Sequence, residues 1–199
     1  MRPGRYRWDQ GPSAEQLSGW FSTERHSLVD CLPSSRLSPW RVISGGQTGV
    51  DRAALDAAME RGIPVGGWCP KGRRACNGII PNYYPLQETG SRDYSVRTAF
   101  NVRDSDGTLV LSARPLSGGT LLTEKFVISQ KKPYQVVDSV NETRICSISD
   151  WLQNNDVHRL NIAGPREQNE PGIYGQAYSW LTRLFQIWPA IPACHDQIR

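Results

Sequence analysis

Three short segments stand out for the chemistry their residue types permit: Gly45-Gly46-Gln47-Thr48-Gly49, Ser117-Gly118-Gly119-Thr120 and Gly164-Pro165-Arg166-Glu167. Glycines where a strand turns into a helix remove side chains from the turn. They leave backbone N–H groups and the positive helix end facing outward, an arrangement suited to an anion such as phosphate. The first turn is neither G-x-G-x-x-G nor a Walker A sequence, because no Lys-Ser/Thr pair follows it. A purely structural reading stays open, in which Thr48 caps the helix and Asp51 completes a Thr-x-x-Asp capping box. Asp51 is therefore a candidate both for a cap and for a ligand contact. In the second segment Glu124 falls in the first part of the following helix, where the dipole alone would favour it. In the third, the planar fork of Arg166 suits a phosphate oxygen.

A further cationic run, Lys71-Gly72-Arg73-Arg74, sits beside Trp68 in a long irregular stretch that reaches Tyr84. It reads equally as a lid over an anion and as a solvated loop. Arg97, Thr98 and Asn101 share one face of a predicted helix, either orienting Asp104 and Asp106, touching a partner subunit, or simply facing solvent. Cys69 and Cys76 read as packing residues, since no His lies near them in sequence. The five cysteines are irregularly spaced and contain no C-x-x-C, which argues against a disulfide framework or a zinc site.

The elements that position these residues follow from periodicity. Arg41 to Ser44 predicts a strand, and Val50 to Arg61 a helix whose Val50, Ala53, Ala54, Ala57 and Ala58 fall on one face. Gly107 to Leu111 predicts a buried strand leading to a helix through about Gln130. Arg159 to Ala163 predicts a third strand, followed by an amphipathic helix from about Pro171 carrying Ile173, Ala177, Trp180, Leu181, Leu184 and Phe185 inward. Pro64 to Trp68 and Pro133 to Asp138 read as strands, Asp93 to Arg103 as a helix, and Asp150 to Asn154 as a short helical piece. Alternating strands and helices predict an α/β fold with a mainly parallel sheet covered on both faces. Such a sheet binds ligands at the carboxyl ends of its strands, so the three glycine turns are expected to converge, with a bound anion against the Gly45 to Gly49 and Gly118 to Thr120 backbone.

The chain of 199 residues is long enough for one domain. Residues 1–40 read as an irregular extension with a helical turn near Ala14 to Phe21, residues 41–187 as the domain, and residues 188–199 as a tail. The formal net charge of +4 fits a modest attraction to small phosphorylated molecules. Charges in the first forty residues are balanced, which does not suit a nucleic-acid arm. No apolar run is long enough to cross a bilayer and no signal peptide is evident, so a soluble cytoplasmic protein without a membrane partner is expected.

Taken together, the segments from Ser44 to Asp56 and Gly66 to Arg74, Arg97-Thr98, Asn101 to Thr108, Gly118-Gly119-Thr120, Gly164 to Glu167 and Pro171 to Tyr174 resemble the molybdenum-cofactor carrier family. The resemblance runs in order from Val42 to Phe185. It implies a Rossmann-like three-layer domain, usually a homo-oligomer, that stores, protects and delivers the molybdenum cofactor (molybdopterin) or a related phosphorylated anion, with molybdoenzymes as recipients. The residues expected to hold it are Gly45, Gly46, Gln47, Thr48, Gly49, Asp51, Lys71, Arg73, Arg74, Ser117, Gly118, Gly119, Thr120 and Arg166, with no metal ligated by the protein itself. The same superfamily includes the LOG-type phosphoribohydrolases, marked by P-G-G-x-G-T-x-x-E. Here the turn lacks the third glycine, and Glu124 falls four residues after Thr120, not three. The alternative function is accordingly a nucleotide- or ADP-ribose-processing enzyme in which Asp51 and Glu124 act on a ribose.

Overall fold

The computed structural model describes residues 40–138 and 144–188. The expected irregular extension, including its helical turn, and nearly all of the expected C-terminal tail lie outside the described residues. Five strands, β1 (Arg41–Ile43), β2 (Val65–Gly66), β7 (Gly107–Leu111), β8 (Tyr134–Val137) and β9 (Arg159–Ala163), form one sheet in the order β2-β1-β9-β7-β8. Every pairing in it is parallel. The α/β Rossmann-like fold expected from the alternation of elements is the one observed. Strand β7 is buried along its whole length, as a central strand covered on both faces requires.

Among the described residues, five helices flank the sheet: α1 (Val50–Glu60), α2 (Tyr94–Arg103), α3 (Gly118–Ser129), α4 (Ile145–Asn154) and α5 (Ile173–Ile187). Helices α1 and α5 pack on each other, α4 joins α5, and α2 packs on α3. The small side chains of Ala53, Ala54, Ala57 and Ala58 are fully buried. They share one core with Trp180, Leu181 and Leu184 of α5 and with Leu109 and Leu160 of the sheet. None of the helices among the described residues is long and apolar enough to cross a membrane.

Two elements depart from expectation. The strand expected over Pro64 to Trp68 breaks at Gly67, whose φ of +131° turns the chain out of the sheet; a Cβ there would collide with the Ser44 backbone. Past the break, Asn101 takes over the pairing: its Oδ1 accepts from the Trp68 amide at 2.7 Å and its Nδ2 donates to the Trp68 carbonyl at 3.1 Å. The freed chain forms an excursion with β3 (Trp68–Cys69) paired to β6 (Gln87–Glu88), and a hairpin of β4 (Arg74–Ala75) and β5 (Gly78–Ile79). This stretch is therefore not the irregular one that the sequence suggested, and Ile80, Tyr84 and Leu86 give it a small core with Leu55 and Cys69. Helix α4 also begins earlier than expected, at Ile145, because Ile148 and Leu152 share a buried stripe.

Candidate functional site

Strands β1, β9 and β7 are neighbours and parallel, so the loops after them emerge at one edge of the sheet. There they enclose a cavity of ≈ 190 Å³, lined by Gln47 and Asp51 after β1, by Ser112, Arg114, Ser117, Gly119, Thr120 and Thr123 after β7, and by Gly164, Arg166, Asn169 and Glu170 after β9, with Tyr94, Arg97 and Thr98 of α2 closing one side. Its volume is below the roughly 300–1,000 Å³ of sites that engulf a drug-sized ligand. The size suits an oxyanion or the charged end of a larger molecule.

The first glycine loop contributes differently from expectation. Of its residues only Gln47 and Asp51 line the cavity. Gly45, Gly46, Thr48 and Gly49 do not border it and instead form a packed pivot. A Cβ on Gly45 would overlap the Arg97 guanidinium, and one on Gly49 the Pro165 carbonyl, so these positions need glycine in order to let neighbouring groups approach. The amide of Thr48 donates to Gln47 Oε1 at 3.0 Å, and that of Val50 to the Pro165 carbonyl at 3.3 Å. The capping box that the sequence left open is absent. The N-cap of α1 is Gly49 with no side-chain cap, and Thr48 Oγ1 instead meets Cys76 Sγ at 3.0 Å.

Asp51 is 4% exposed. Its Oδ2 accepts from Arg97 Nη1 at 3.0 Å and from the Gln47 amide at 3.3 Å. Burial pushes its carboxyl above the ordinary carboxylate range, opposed by Arg97, the Gln47 amide and Arg166. The face carrying Arg97, Thr98 and Asn101 is thus not solvated: Thr98 and Asn101 are buried, and Arg97 reaches across to the residue that anchors the first loop. Asp104 takes the Trp68 indole N–H at 2.7 Å, and Asp106 holds Arg159 at 2.7 Å, so neither is oriented by this face.

Of the second turn, Gly118 does not border the cavity. Ser117, Gly119 and Thr120 border the cavity at the N-terminus of α3, and open space surrounds Gly118 and Gly119. The lining carries three guanidinium groups (Arg97, Arg114 and Arg166) and two carboxylates, Asp51 and Glu170. Arg166 also lies over the Tyr94 ring, 4.9 Å from its centroid. Gln47 supplies the clearest sign of a missing partner. Its Oε1 is held by the Thr48 amide, the Cys76 amide at 2.9 Å and Cys76 Sγ at 3.0 Å, which fixes the amide orientation. Its Nε2 and the Nε of Arg97 are buried with no hydrogen-bond partner, a costly arrangement that a bound acceptor would relieve.

The cationic run does not join this site. Arg73 turns inward, and its guanidinium donates to the carbonyls of Ile80, Leu86, Pro81 and Tyr84 at 2.8–3.1 Å. It is the internal bracket of the excursion and does not border the cavity. Lys71 and Arg74 are exposed and do not border the cavity. Glu124 is also outside it, accepting from Tyr134 Oη at 3.3 Å. Among the residues that the sequence reading did not place in the site are Arg114, Tyr94, Asn169 and Glu170, together with Arg97 in this role. Arg114 had a usable signal, standing just past the carboxyl end of β7. Arg97 had none linking it to Gly45 and Asp51, because that contact spans 46 residues.

Comparison with known proteins agrees with this architecture. The model of the circularly permutated YpsA SLOG family matches residues 42–185. The chain belongs to that family. A crystal structure at 1.45 Å resolution from Syntrophus aciditrophicus, named "Putative molybdenum carrier protein", shares 47% sequence identity with it at a TM-score of 0.70, covering 74% of this chain and 94% of that one. No curated protein matches the chain. The matched span of this SLOG family member takes in β1 through most of α5 and every residue bordering the cavity.

Proposed function

We propose that the protein binds and carries a phosphorylated anionic ligand, the molybdenum cofactor or a close relative, releasing it chemically unchanged to a recipient such as a molybdoenzyme. The observation that carries this reading is the set of unsatisfied donors in one cavity: Gln47 Nε2 and Arg97 Nε, both buried without partners, beside Arg114, Arg166 and the α3 N-terminus. Guanidinium forks and an open helix end complement an oxyanion. The name of the Syntrophus aciditrophicus neighbour supports molybdenum-linked cargo. The cavity volume supports capture by one charged end, with the rest of the cargo outside. The enzyme alternative is assigned to Asp51 and Glu124. Asp51 is present but tied to Arg97, and Glu124 is engaged elsewhere, which favours the carrier.

The test begins with the purified full chain, examined for co-purifying molybdenum by elemental analysis and for oxidised-pterin fluorescence. Titration calorimetry with the phosphorylated pterin then follows for wild type, Arg114→Ala and Arg166→Ala. Each variant should lose about 1.5–3 kcal/mol of binding, the scale of a charge-assisted hydrogen bond. Unchanged affinity in both, or turnover of nucleoside monophosphates or ADP-ribose by wild type, overturns the reading.

A further inference from the structure

The cavity lining is not purely electropositive. Asp51 borders it with a divided carboxylate: Oδ2 is occupied by Arg97 and the Gln47 amide, whereas Oδ1 has no hydrogen-bond donor among the described residues and is not sealed from the cavity. A second carboxylate, that of the buried Glu170, belongs to the opposite loop. An ionised carboxylate only accepts hydrogen bonds. Facing a fully ionised tetrahedral anion in a partly desolvated cavity it would repel it, since like charges act strongly where water is scarce. It is satisfied by a ligand that brings a donor of its own alongside its anionic oxygens.

Resting on the reading of this cavity as an anion site, we propose that it selects a proton-bearing oxyanion, hydrogen phosphate or a singly protonated phosphoryl group, over fully ionised tetrahedral anions such as sulfate and molybdate, with Asp51 Oδ1 accepting a hydrogen bond from the ligand's hydroxyl. The ligand's remaining oxygens meet Arg97, Arg114, Arg166 and Gln47 Nε2, so donors and acceptors match on both sides. The hydrogen bond from a hydroxyl to a carboxylate is of the short, charge-assisted kind. By the same logic a phosphate monoester seats best in its singly protonated form, because the dianion that dominates above its second pKa of about 6 carries no hydroxyl. Burial, which raises the affinity of Asp51 for a proton, works in the same direction by favouring a shared proton at that oxygen.

The decisive experiment compares inorganic phosphate, sulfate, molybdate and monofluorophosphate by titration calorimetry on the full chain at about pH 8, where phosphate has lost its second proton and all four are dianions. Phosphate alone keeps a hydroxyl, and monofluorophosphate replaces that group by fluorine at nearly constant shape. Phosphate should bind at least about tenfold tighter than the other three, the lower end of one charge-assisted hydrogen bond. In Asp51→Asn, whose amide can donate, sulfate and molybdate should gain and the ratio should collapse; Glu170→Gln, which leaves the Asp51–Arg97 pair intact, should narrow it less. The monofluorophosphate comparison in wild type decides the matter even if Asp51→Asn does not fold. Sulfate, molybdate or monofluorophosphate binding as tightly as phosphate overturns the inference and leaves the anion site standing, and so does a ratio unchanged in folded Asp51→Asn. Absence of binding by all four overturns the anion site itself.

Discussion

Replacing Arg97 with Met tests how the site is held together, because it removes the charge that makes a buried Asp51 tolerable. The side chains of the pair are 13% and 4% exposed, 3.0 Å apart, so little water is available to take the place of the guanidinium. What remains for the carboxylate is the Gln47 amide at 3.3 Å. Breaking a buried pair by removing one partner costs about 3–5 kcal/mol, against a typical total stability of roughly 5–15 kcal/mol. For a chain of this size about 2–4 °C of melting temperature accompanies each kcal/mol, giving a fall of roughly 6–20 °C. The pH dependence has a definite sign. The folded-state affinity of Asp51 for a proton is already raised by burial above the ordinary value of 3.8, and loss of Arg97 raises it further. The folded state then holds a proton that the unfolded state has released, so stability falls as pH rises above the unfolded value and is recovered on acidification. Thermal unfolding followed by circular dichroism from about pH 5 to pH 8 should show the variant's deficit growing with pH. The double variant Asp51→Asn, Arg97→Met should recover much of the loss and flatten that dependence. A single variant within about 1 kcal/mol of wild type at neutral pH, or a double variant less stable than the single one, would refute the claim that this pair anchors the first glycine loop.

Arg73→Met should destabilise by on the order of 3 kcal/mol, because four carbonyls lose their charged donor, whereas Lys71→Ala and Arg74→Ala should leave both urea midpoint and phosphate affinity unchanged. Cys76→Val removes the thiol that contacts Gln47 Oε1 and Thr48 Oγ1; phosphate affinity measured by calorimetry should drop several-fold, by about 1 kcal/mol, while Cys76→Ser retains it. Glu124→Gln should leave phosphate affinity at the wild-type value, and a tenfold loss would return that carboxylate to the site.

Local periodicity determined much of the fold. The buried faces of α1 and α5 and the apolar runs of β7 and β9 announce themselves because each element's preference is written in residues a few positions apart. The convergence of the three glycine turns was legible too, since parallel strands joined by helices place successive turns on one edge. What each turn does there was not. The pivot at Gly45 and Gly49 exists because Arg97 and Pro165 press against them, and the capping box expected of Thr48 and Asp51 lost to contacts with Cys76 and Arg97, both distant in sequence. The same physics divided the cations. Lys71, Arg73 and Arg74 look alike as a run, but only the tertiary packing of the excursion turns Arg73 onto four inward carbonyls and leaves the other two in water. Arg97, Arg114 and Glu170 acquire their place only when three loops far apart in the chain close around one cavity. Residue type and spacing fix what a side chain is able to bond. Which partner it meets depends on long-range packing, and a buried charge or amide follows the partner that removes its desolvation cost.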